Sequence, residues 1–280
     1  LAVLQDRGIA PDFEYAGVAG PQTFIRALHR RDGDTDIYFV ASRGARTETI
    51  RATFRVGGKA PEIWDPVTGE HGLATDFSFG DGRTTMPLEL GPCGSVFVVF
   101  REPAGLPRSS GMSNSSRYEA RLELTGPWTV RFDPKWGGPE SVELPELVSW
   151  TERPEQGVRY YSGTATYVKT LALPADLAGK NLWLDLGDAR EVAEVRVNGR
   201  SRGILWARPM RVDLTSALHV GENRLEIDVV NFWPNRIIGD QSLPADRRFT
   251  RTNIRQLKRD TKLMPSGLLG PVVLLERVSP

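Results

Sequence analysis

Glycine and proline divide this chain into short stretches that are rich in β-branched and aromatic residues. The sequence contains 28 Gly and 20 Pro, which separate apolar stretches such as 36–43 (DIYFVASR) and 94–101 (GSVFVVFR). In 49–56 (TIRATFRV) apolar and polar residues alternate, which indicates a strand with one buried face. Asn198-Gly199 and Gly33 mark tight turns between such stretches. Short strands joined by close turns are typical of β-sandwiches and jelly rolls, so the pattern predicts an all-β fold.

A polar stretch divides the β-rich pattern into two blocks, and a length of 280 residues corresponds to about two domains. Residues 103–117 (PAGLPRSSGMSNSSR) are rich in Ser, Gly and Pro, as expected for a linker. We therefore predict a β-sandwich over 1–102, a linker over 103–117 and a second β-sandwich, a jelly roll, over 118–280. Residues 245–261 are the one candidate helix, with three apolar residues on a loosely shared face, and an ordered loop is the alternative.

Charge and composition argue against several classes of function. The chain has 36 Lys and Arg against 35 Asp and Glu, a net charge of +1, which provides no long-range field for nucleic acid or anionic lipid. Cys93 is the single cysteine, so an intramolecular disulfide and a multi-cysteine metal site are excluded. The three histidines, His29, His71 and His219, form no metal-binding pair, and no apolar run reaches the ~18 residues of a membrane span. We expect no nucleic-acid partner, no membrane segment and no metal site.

Two tryptophan segments are the most distinctive candidates for a binding site. Residues 205–209 (LWARP) and 231–236 (NFWPNR) each place a Trp beside an Arg and a Pro. Both follow a predicted strand, where we expect exposed loops to gather at one end of the sandwich. A flat aromatic ring stacks on the apolar face of a sugar, while Arg and Asn bond its hydroxyl groups. The predicted carbohydrate-binding residues are Trp206, Arg208, Asn231, Trp233, Asn235 and Arg236. Alternatively, the two tryptophans cap the core of the sandwich. We assign the other four tryptophans of this block to packing: Trp128, Trp136, Trp150 and Trp183.

Carboxylates are the second candidate for chemistry, because a glycosidase needs only two of them at the right separation across a sugar. Several acidic residues cluster around one predicted strand–turn–strand near residues 185–194. The weak catalytic candidates are Asp185, Glu191 and Asp240. The alternative is a solvated turn that is rich in acidic residues.

An ordered series of motifs in the second block gives a resemblance to a known family. The series resembles the sugar-binding, galactose-binding-like jelly-roll domain of family 2 type glycoside hydrolases. It consists of 124–130 (LTGPWTV), 162–174 (SGTATYVKTLALP), 181–187 (NLWLDLG), 191–203 (EVAEVRVNGRSRG), 211–218 (RVDLTSAL) and 221–231 (GENRLEIDVVN).

Further motifs extend the resemblance to nearly the whole chain. They resemble the C-terminal β-domains of the bacterial α-L-rhamnosidase-like glycoside hydrolases of family 106. These motifs are 231–240 (NFWPNRIIGD), 265–272 (PSGLLGPV), 29–43 (HRRDGDTDIYFVASR), 64–70 (WDPVTGE) and 90–100 (LGPCGSVFVVF). The resemblance implies hydrolysis of α-L-rhamnosyl linkages in plant polysaccharides or glycosides, by an inverting mechanism, in a periplasmic or secreted protein. It implies no organic cofactor, and calcium is a possible structural ion, although the sequence has no dedicated calcium loop.

The catalytic carboxylates of that family lie on a (β/α)8 barrel that precedes the β-domains, and this chain has no such eightfold alternation of strand and helix. The chain also opens on Leu1, which we interpret as a cut end. We therefore expect a carbohydrate-binding, accessory part of a polysaccharide-degrading hydrolase, with a missing N-terminal catalytic domain as its partner. One alternative is a small standalone glycoside hydrolase with its carboxylate pair in the jelly-roll or interdomain groove. The other is a purely structural region.

Overall fold

The computed structural model describes residues 6–17, 24–105, 111–112 and 117–278. They form two compact units, one extending to Arg117 and the other running from Tyr118 to Val278. Both units are built almost entirely of β-sheet, so the predicted all-β fold of two β-sandwiches is confirmed. Residues 106–110 and 113–116 of the predicted linker lie outside the described residues.

The first unit forms two facing sheets. Its described strands are β1 (Phe13–Ala16), β2 (Ile25–Asp32), β3 (Thr35–Ser42), β4 (Glu48–Phe54), β5 (Lys59–Trp64), β6 (His71–Ala74), β7 (Ser78–Gly80), β8 (Arg83–Leu90), β9 (Ser95–Pro103) and β10 (Gly111–Met112). One sheet has the order β1-β4-β8-β7 and the other has the order β10-β6-β5-β9-β3-β2. Strand β10 pairs in parallel with β6, so two residues of the predicted linker belong to a sheet.

Alternating burial along β4 shows why this unit closes as a sandwich. Ile50, Ala52 and Phe54 are buried while Arg51 is exposed, as the alternating sequence predicts. The ring of Phe54 lies 4.9 Å from the ring of Tyr38 on the opposite sheet. This one-sided burial supplies the apolar face that each sheet turns toward the other.

The second unit repeats the two-sheet arrangement with a small third sheet. Its strands are β11 (Arg117–Glu123), β12 (Trp128–Phe132), β13 (Ser141–Leu144), β14 (Thr164–Leu173), β15 (Leu182–Asp185), β16 (Asp188–Arg190), β17 (Val192–Val197), β18 (Arg200–Leu205), β19 (Arg211–Asp213), β20 (Gly221–Val230), β21 (Gly267–Gly270) and β22 (Val273–Val278). The sheet orders are β11-β22-β15-β19, β13-β12-β14-β20-β17-β18 and β16-β21. The two α-helices are α1 (Gln156–Arg159) and α2 (Pro234–Asp240), and short 3-10 turns cover Pro134–Trp136, Trp150–Glu152, Ala175–Leu177 and Ala245–Arg247.

Three of the four tryptophans assigned to packing are buried in the core of this unit. Trp128 and Trp150 are fully buried and Trp183 is nearly so. The Trp150 indole N–H donates to the Tyr167 hydroxyl at 2.6 Å, which also accepts from the backbone N–H of Leu268 at 3.0 Å. The fourth, Trp136, is 37% exposed and lies outside this core.

The structure corrects two local predictions around residue 240. Residues 245–261 do not form a helix: only Ala245–Arg247 turns, in 3-10 form, so the ordered-loop alternative is the right one. Phe249 packs on Gly137 whereas Ile254 is 44% exposed, so the apolar residues share no buried face to stabilise a helix. Conversely, the segment predicted as a loop after β20 contains α2, whose first position is Pro234, where a fixed φ favours helix initiation.

Candidate functional site

The strand register brings the two tryptophan segments to the same end of the six-stranded sheet. β18 ends at Leu205 and β20 ends at Val230. Both pair with the start of β17, where Ala193 lies opposite Leu205 on one side and Val229 on the other. Since neighbouring strands are about 4.8 Å apart, the two segments leave the sheet about 10 Å apart, with β17 between them.

The first segment presents an exposed indole ring beside a cluster of charged groups. Trp206 is 62% exposed. The Arg208 guanidinium donates to one oxygen of Asp188 at 2.6 Å, and Arg190 donates to the other at 2.7 Å. The shared carboxylate of Asp188 therefore fixes the positions of two guanidinium groups, one of which lies two residues along the chain from Trp206.

The two asparagines of the second segment are buried and bonded to the backbone. The Asn231 carbonyl oxygen accepts from the N–H of Gly163 at 3.0 Å, and its amide donates to the carbonyl of Tyr161 at 2.9 Å. Asn235 accepts from the N–H of Met264 at 2.9 Å and donates to the carbonyl of the same residue at 2.7 Å. Both amides hold neighbouring chain segments in place, which differs from the exposed loop position expected from the sequence.

Arg236 and Asp240 form a buried ion pair one turn apart on α2. The Arg236 Nε donates to one oxygen of Asp240 at 3.0 Å. The other oxygen accepts from the N–H of Thr250 at 2.7 Å and from its hydroxyl at 2.6 Å. Burial lowers the pKa of Arg236, although the charge and hydrogen bond of Asp240 oppose this effect. This pair fixes the chain at Thr250 against α2.

The exposed side of the same region carries three aromatic rings, which we call the aromatic cluster: Trp136, Trp233 and Phe249. The rings of Trp136 and Trp233 meet edge to face, with 5.1 Å between their centroids. A Cβ on Gly137 would lie 2.6 Å from the ring of Phe249, so this ring covers the glycine that follows Trp136. The Arg236 guanidinium lies over the same Phe249 ring, 4.8 Å from its centroid.

Sequence reasoning missed Trp136 and Phe249 as members of an exposed cluster. A signal for Trp136 was present in 133–137 (DPKWG). Asp133 accepts from the N–H of Lys135, Pro134 starts the 3-10 turn and Gly137 ends it with φ 80°. Turns and loops of this kind lie at the protein surface, so a tryptophan within one is a candidate for exposure. Phe249 has no comparable local signal.

The three weak catalytic candidates lie on different elements. Asp185 accepts from Arg211 at 2.7 Å and from the N–H of Gly187 at 2.8 Å, and Asp240 is engaged by the donors described above. Glu191 precedes β17 at the tryptophan end of the sheet, is half-buried, and donates its N–H to Val230 at 2.7 Å. Their catalytic role stays a prediction, as does the carbohydrate contact of Trp206, Arg208 and Trp233.

Neither a metal-binding cluster nor a membrane-spanning helix is present among the described residues. No group of three His, Cys, Asp or Glu side chains within them is arranged to hold a metal ion. Over the same ranges, no helix has both the length and the apolar character needed to cross a membrane.

Comparison with known proteins relates the chain to glycoside hydrolases. A family model described as alpha-L-rhamnosidase, of glycoside hydrolase family 106, matches residues 1–76. The structure of the rhamnosidase from Novosphingobium sp. PP1Y is similar over 99% of this chain, with 39% identity and a TM-score of 0.87. A Formosa agariphila protein named "Putative beta-glucuronidase" is 38% identical over an alignment of 184 residues, and the match covers 56% of this chain.

The chain spans only a fraction of these relatives: 26% of the Novosphingobium protein and 16% of the Formosa protein. Its two β-sandwiches are thus similar to a region of a larger glycoside hydrolase. The resemblance to α-L-rhamnosidases of family 106, predicted from the motifs, is confirmed by the family model and the structural match.

Proposed function

We propose that this chain is the carbohydrate-binding, accessory region of a larger α-L-rhamnosidase-like glycoside hydrolase. Its catalytic domain would precede the chain and act on α-L-rhamnosyl linkages in polysaccharides. The proposal draws support from the relatives, which are roughly four to six times longer than the part that this chain matches. The chain would bind and present the substrate while the hydrolytic carboxylates lie elsewhere.

The observation that carries the proposal is the exposure of large aromatic rings at the end of the six-stranded sheet where β18 and β20 end. Trp206 is 62% exposed and Trp233 is 44% exposed, although tryptophan is among the side chains that gain most from burial. The polar neighbours Asn231 and Asn235 are buried as supports, so the surface left to a ligand is aromatic with Arg208 at its side. This surface matches the apolar face and the hydroxyl groups of a sugar.

Isothermal titration of the chain with L-rhamnose and rhamnose-containing oligosaccharides tests the proposal. We expect binding that Trp206→Ala and Trp233→Ala each weaken about tenfold, because each removes a stacking surface. Phe79→Ala is the matched control, since Phe79 is 45% exposed in the first unit and should leave the affinity unchanged. Absence of heat with every oligosaccharide, or equal losses in all three variants, would contradict carbohydrate binding at this end.

A further inference from the structure

A strongly cationic segment adjoins the aromatic cluster and is not used by the proposed rhamnoside site. We call residues 245–262 the basic loop. It contains seven Lys and Arg against two Asp, whereas the other 262 residues contain 29 basic and 33 acidic side chains. A chain that is nearly neutral as a whole therefore concentrates a charge of +5 in one segment and is anionic elsewhere.

The cationic side chains of the basic loop face solvent without carboxylate partners. All seven are exposed: Arg247, Arg248, Arg251, Arg255, Lys258, Arg259 and Lys262. None of them forms an ion pair within the described structure, where Arg248 donates only to the carbonyl of Leu243, at 3.1 Å. Unpaired like charges at this density repel one another, and a bound anion would relieve that repulsion.

Helix α2 anchors the basic loop at Thr250, in its first part, and at Met264, just past its end. Thr250 is fixed by its two bonds to Asp240, and Met264 is fixed by its two bonds to Asn235. Restraint at these two positions limits the conformations that the free loop can adopt, so less entropy is lost when a ligand orders it. The buried residues of α2 thus serve to present the loop.

The anchoring also makes the cationic groups continuous with the aromatic cluster. Phe249 belongs to the basic loop and covers Gly137 beside Trp136. A ligand that lay across this surface would meet aromatic rings and then a series of ammonium and guanidinium groups. Aromatic rings recognise the C–H face of a sugar, and the cations recognise carboxylate or sulfate.

We propose that the basic loop and the aromatic cluster bind an anionic polysaccharide, one whose sugar units carry carboxylate or sulfate groups. This inference rests on the proposed carbohydrate-binding function and names the class of polymer bound. A nucleic acid also combines rings with negative charge. However, a long nucleic acid needs a broad basic surface, whereas the positive charge of this chain is concentrated in the basic loop.

The test is titration of the whole chain with polygalacturonate, a sulfated galactan and a neutral galactan of similar length. We expect both anionic polymers to bind at least about tenfold more tightly than the neutral one, with affinity falling as salt is raised and the charges are screened. Preference for one anionic polymer over the other would distinguish carboxylate from sulfate.

Variants then assign the binding to this surface. The triple variant Arg251→Gln, Arg255→Gln, Lys258→Gln should lose about tenfold in affinity for the anionic polymers. Trp136→Ala should also lower the affinity for these polymers, because it removes a stacking surface. The matched control is Arg26→Gln, Arg30→Gln, Arg43→Gln, which removes the same charge from exposed positions of the first unit and should have no effect. Thermal melts of all variants should coincide, because the side chains are exposed.

The outcomes separate this inference from the proposed function. Equal affinity for neutral and anionic galactan, equal losses in the two triple variants, or equally tight binding of single-stranded DNA would each overturn the anionic-polysaccharide site. If rhamnose oligosaccharides still bind and Trp206→Ala still weakens them, the proposed function survives that failure. If rhamnose oligosaccharides do not bind but the anionic polymers do, the proposed rhamnoside binding is overturned, whereas the binding of anionic polymers by the basic loop is supported.

Discussion

Gly267 occupies a position in the second unit that no larger residue can take without displacing its neighbours. Its φ is 97°, in the left-handed region. An added Cβ would lie 2.4 Å from the Trp150 indole nitrogen and 2.7 Å from the Tyr167 hydroxyl. These two groups share the buried hydrogen bond at the centre of the core, so any displacement there also costs that bond.

Gly267→Ala is therefore expected to lower the free energy of unfolding of the second unit by about 2–4 kcal/mol, from overpacking plus left-handed strain. Urea denaturation followed by tryptophan fluorescence measures the change. Gly221→Ala is the control, since Gly221 has φ 90° with nothing within 4 Å of the added Cβ. It should cost only about 1 kcal/mol, and an equal loss in both variants would contradict the packing argument.

The limits of the sequence interpretation are also visible at single residues. Asn198 and Gly199 were predictable as a turn, because the pair tolerates the positive φ values of 51° and 78° that the β17–β18 turn requires. The burial of Asn235 was not predictable, because its partner Met264 is 29 residues away and no local pattern encodes that contact. Polar residues in a predicted loop were expected to face solvent, and here a short helix turned them inward.

At the scale of elements, an ion pair links β17 and β20, two neighbouring strands of the six-stranded sheet. Arg196 on β17 donates two bonds, at 2.6 and 2.9 Å, to Asp228 on β20, and Thr166 on β14 donates to the same carboxylate at 2.6 Å. Burial alone would raise the pKa of Asp228, but the hydrogen bonds and the Arg196 charge outweigh it and lower that pKa.

Because the pKa of Asp228 is lower in the folded state, the contribution of the Arg196–Asp228 ion pair to stability depends on pH. It is complete above the ordinary aspartate pKa of about 3.9, and it is lost as the pH falls through the lower, folded value. Asp228→Asn should cost about 1–3 kcal/mol at pH 7, and the difference from the wild-type chain should shrink below about pH 4. Urea denaturation across pH 2–7 measures it. A difference that did not change with pH, or the same profile for the exposed control Asp176→Asn, would contradict the ion-pair argument.

Prediction of secondary structure succeeded where one face of a sheet is buried and failed over residues 245–261. The alternation in β4 fixes both its existence and its buried face, because a slip of one residue would expose Phe54. Residues 245–261 have an apolar spacing that is compatible with a helix, but nothing in the fold packs against such a face. The loop structure of these residues is determined by tertiary contacts, which the local sequence pattern does not encode.

At the scale of the whole molecule, the two units have separate hydrophobic cores. The core of the first unit is centred on Tyr38, Phe54 and Phe100, and that of the second unit on Trp128, Trp150 and Tyr167. Six of the seven tryptophans lie in the second unit. Tryptophan fluorescence therefore reports mainly on the unfolding of the second unit.

We expect Phe54→Ala to destabilise the first unit by about 3–5 kcal/mol, through the cavity it leaves, with little effect on the second. The urea transition seen by far-UV circular dichroism should then broaden or split, while the tryptophan fluorescence transition keeps its midpoint. Phe79→Ala, on the surface of the same unit, provides the control. A parallel shift of both signals would show that the units unfold as one.

The position of β22 has a consequence for how the second unit is made. β22 is the last described strand of the second unit, yet it lies between β11, the first strand of the unit, and β15. Arg121 on β11 bonds Glu276 on β22 at 2.7 Å, across 155 residues of sequence. During synthesis, β11 therefore cannot pair with its neighbour until the residues of β22 have left the ribosome. A chain that stops before Val273 would carry an open sheet edge, which is a site for aggregation.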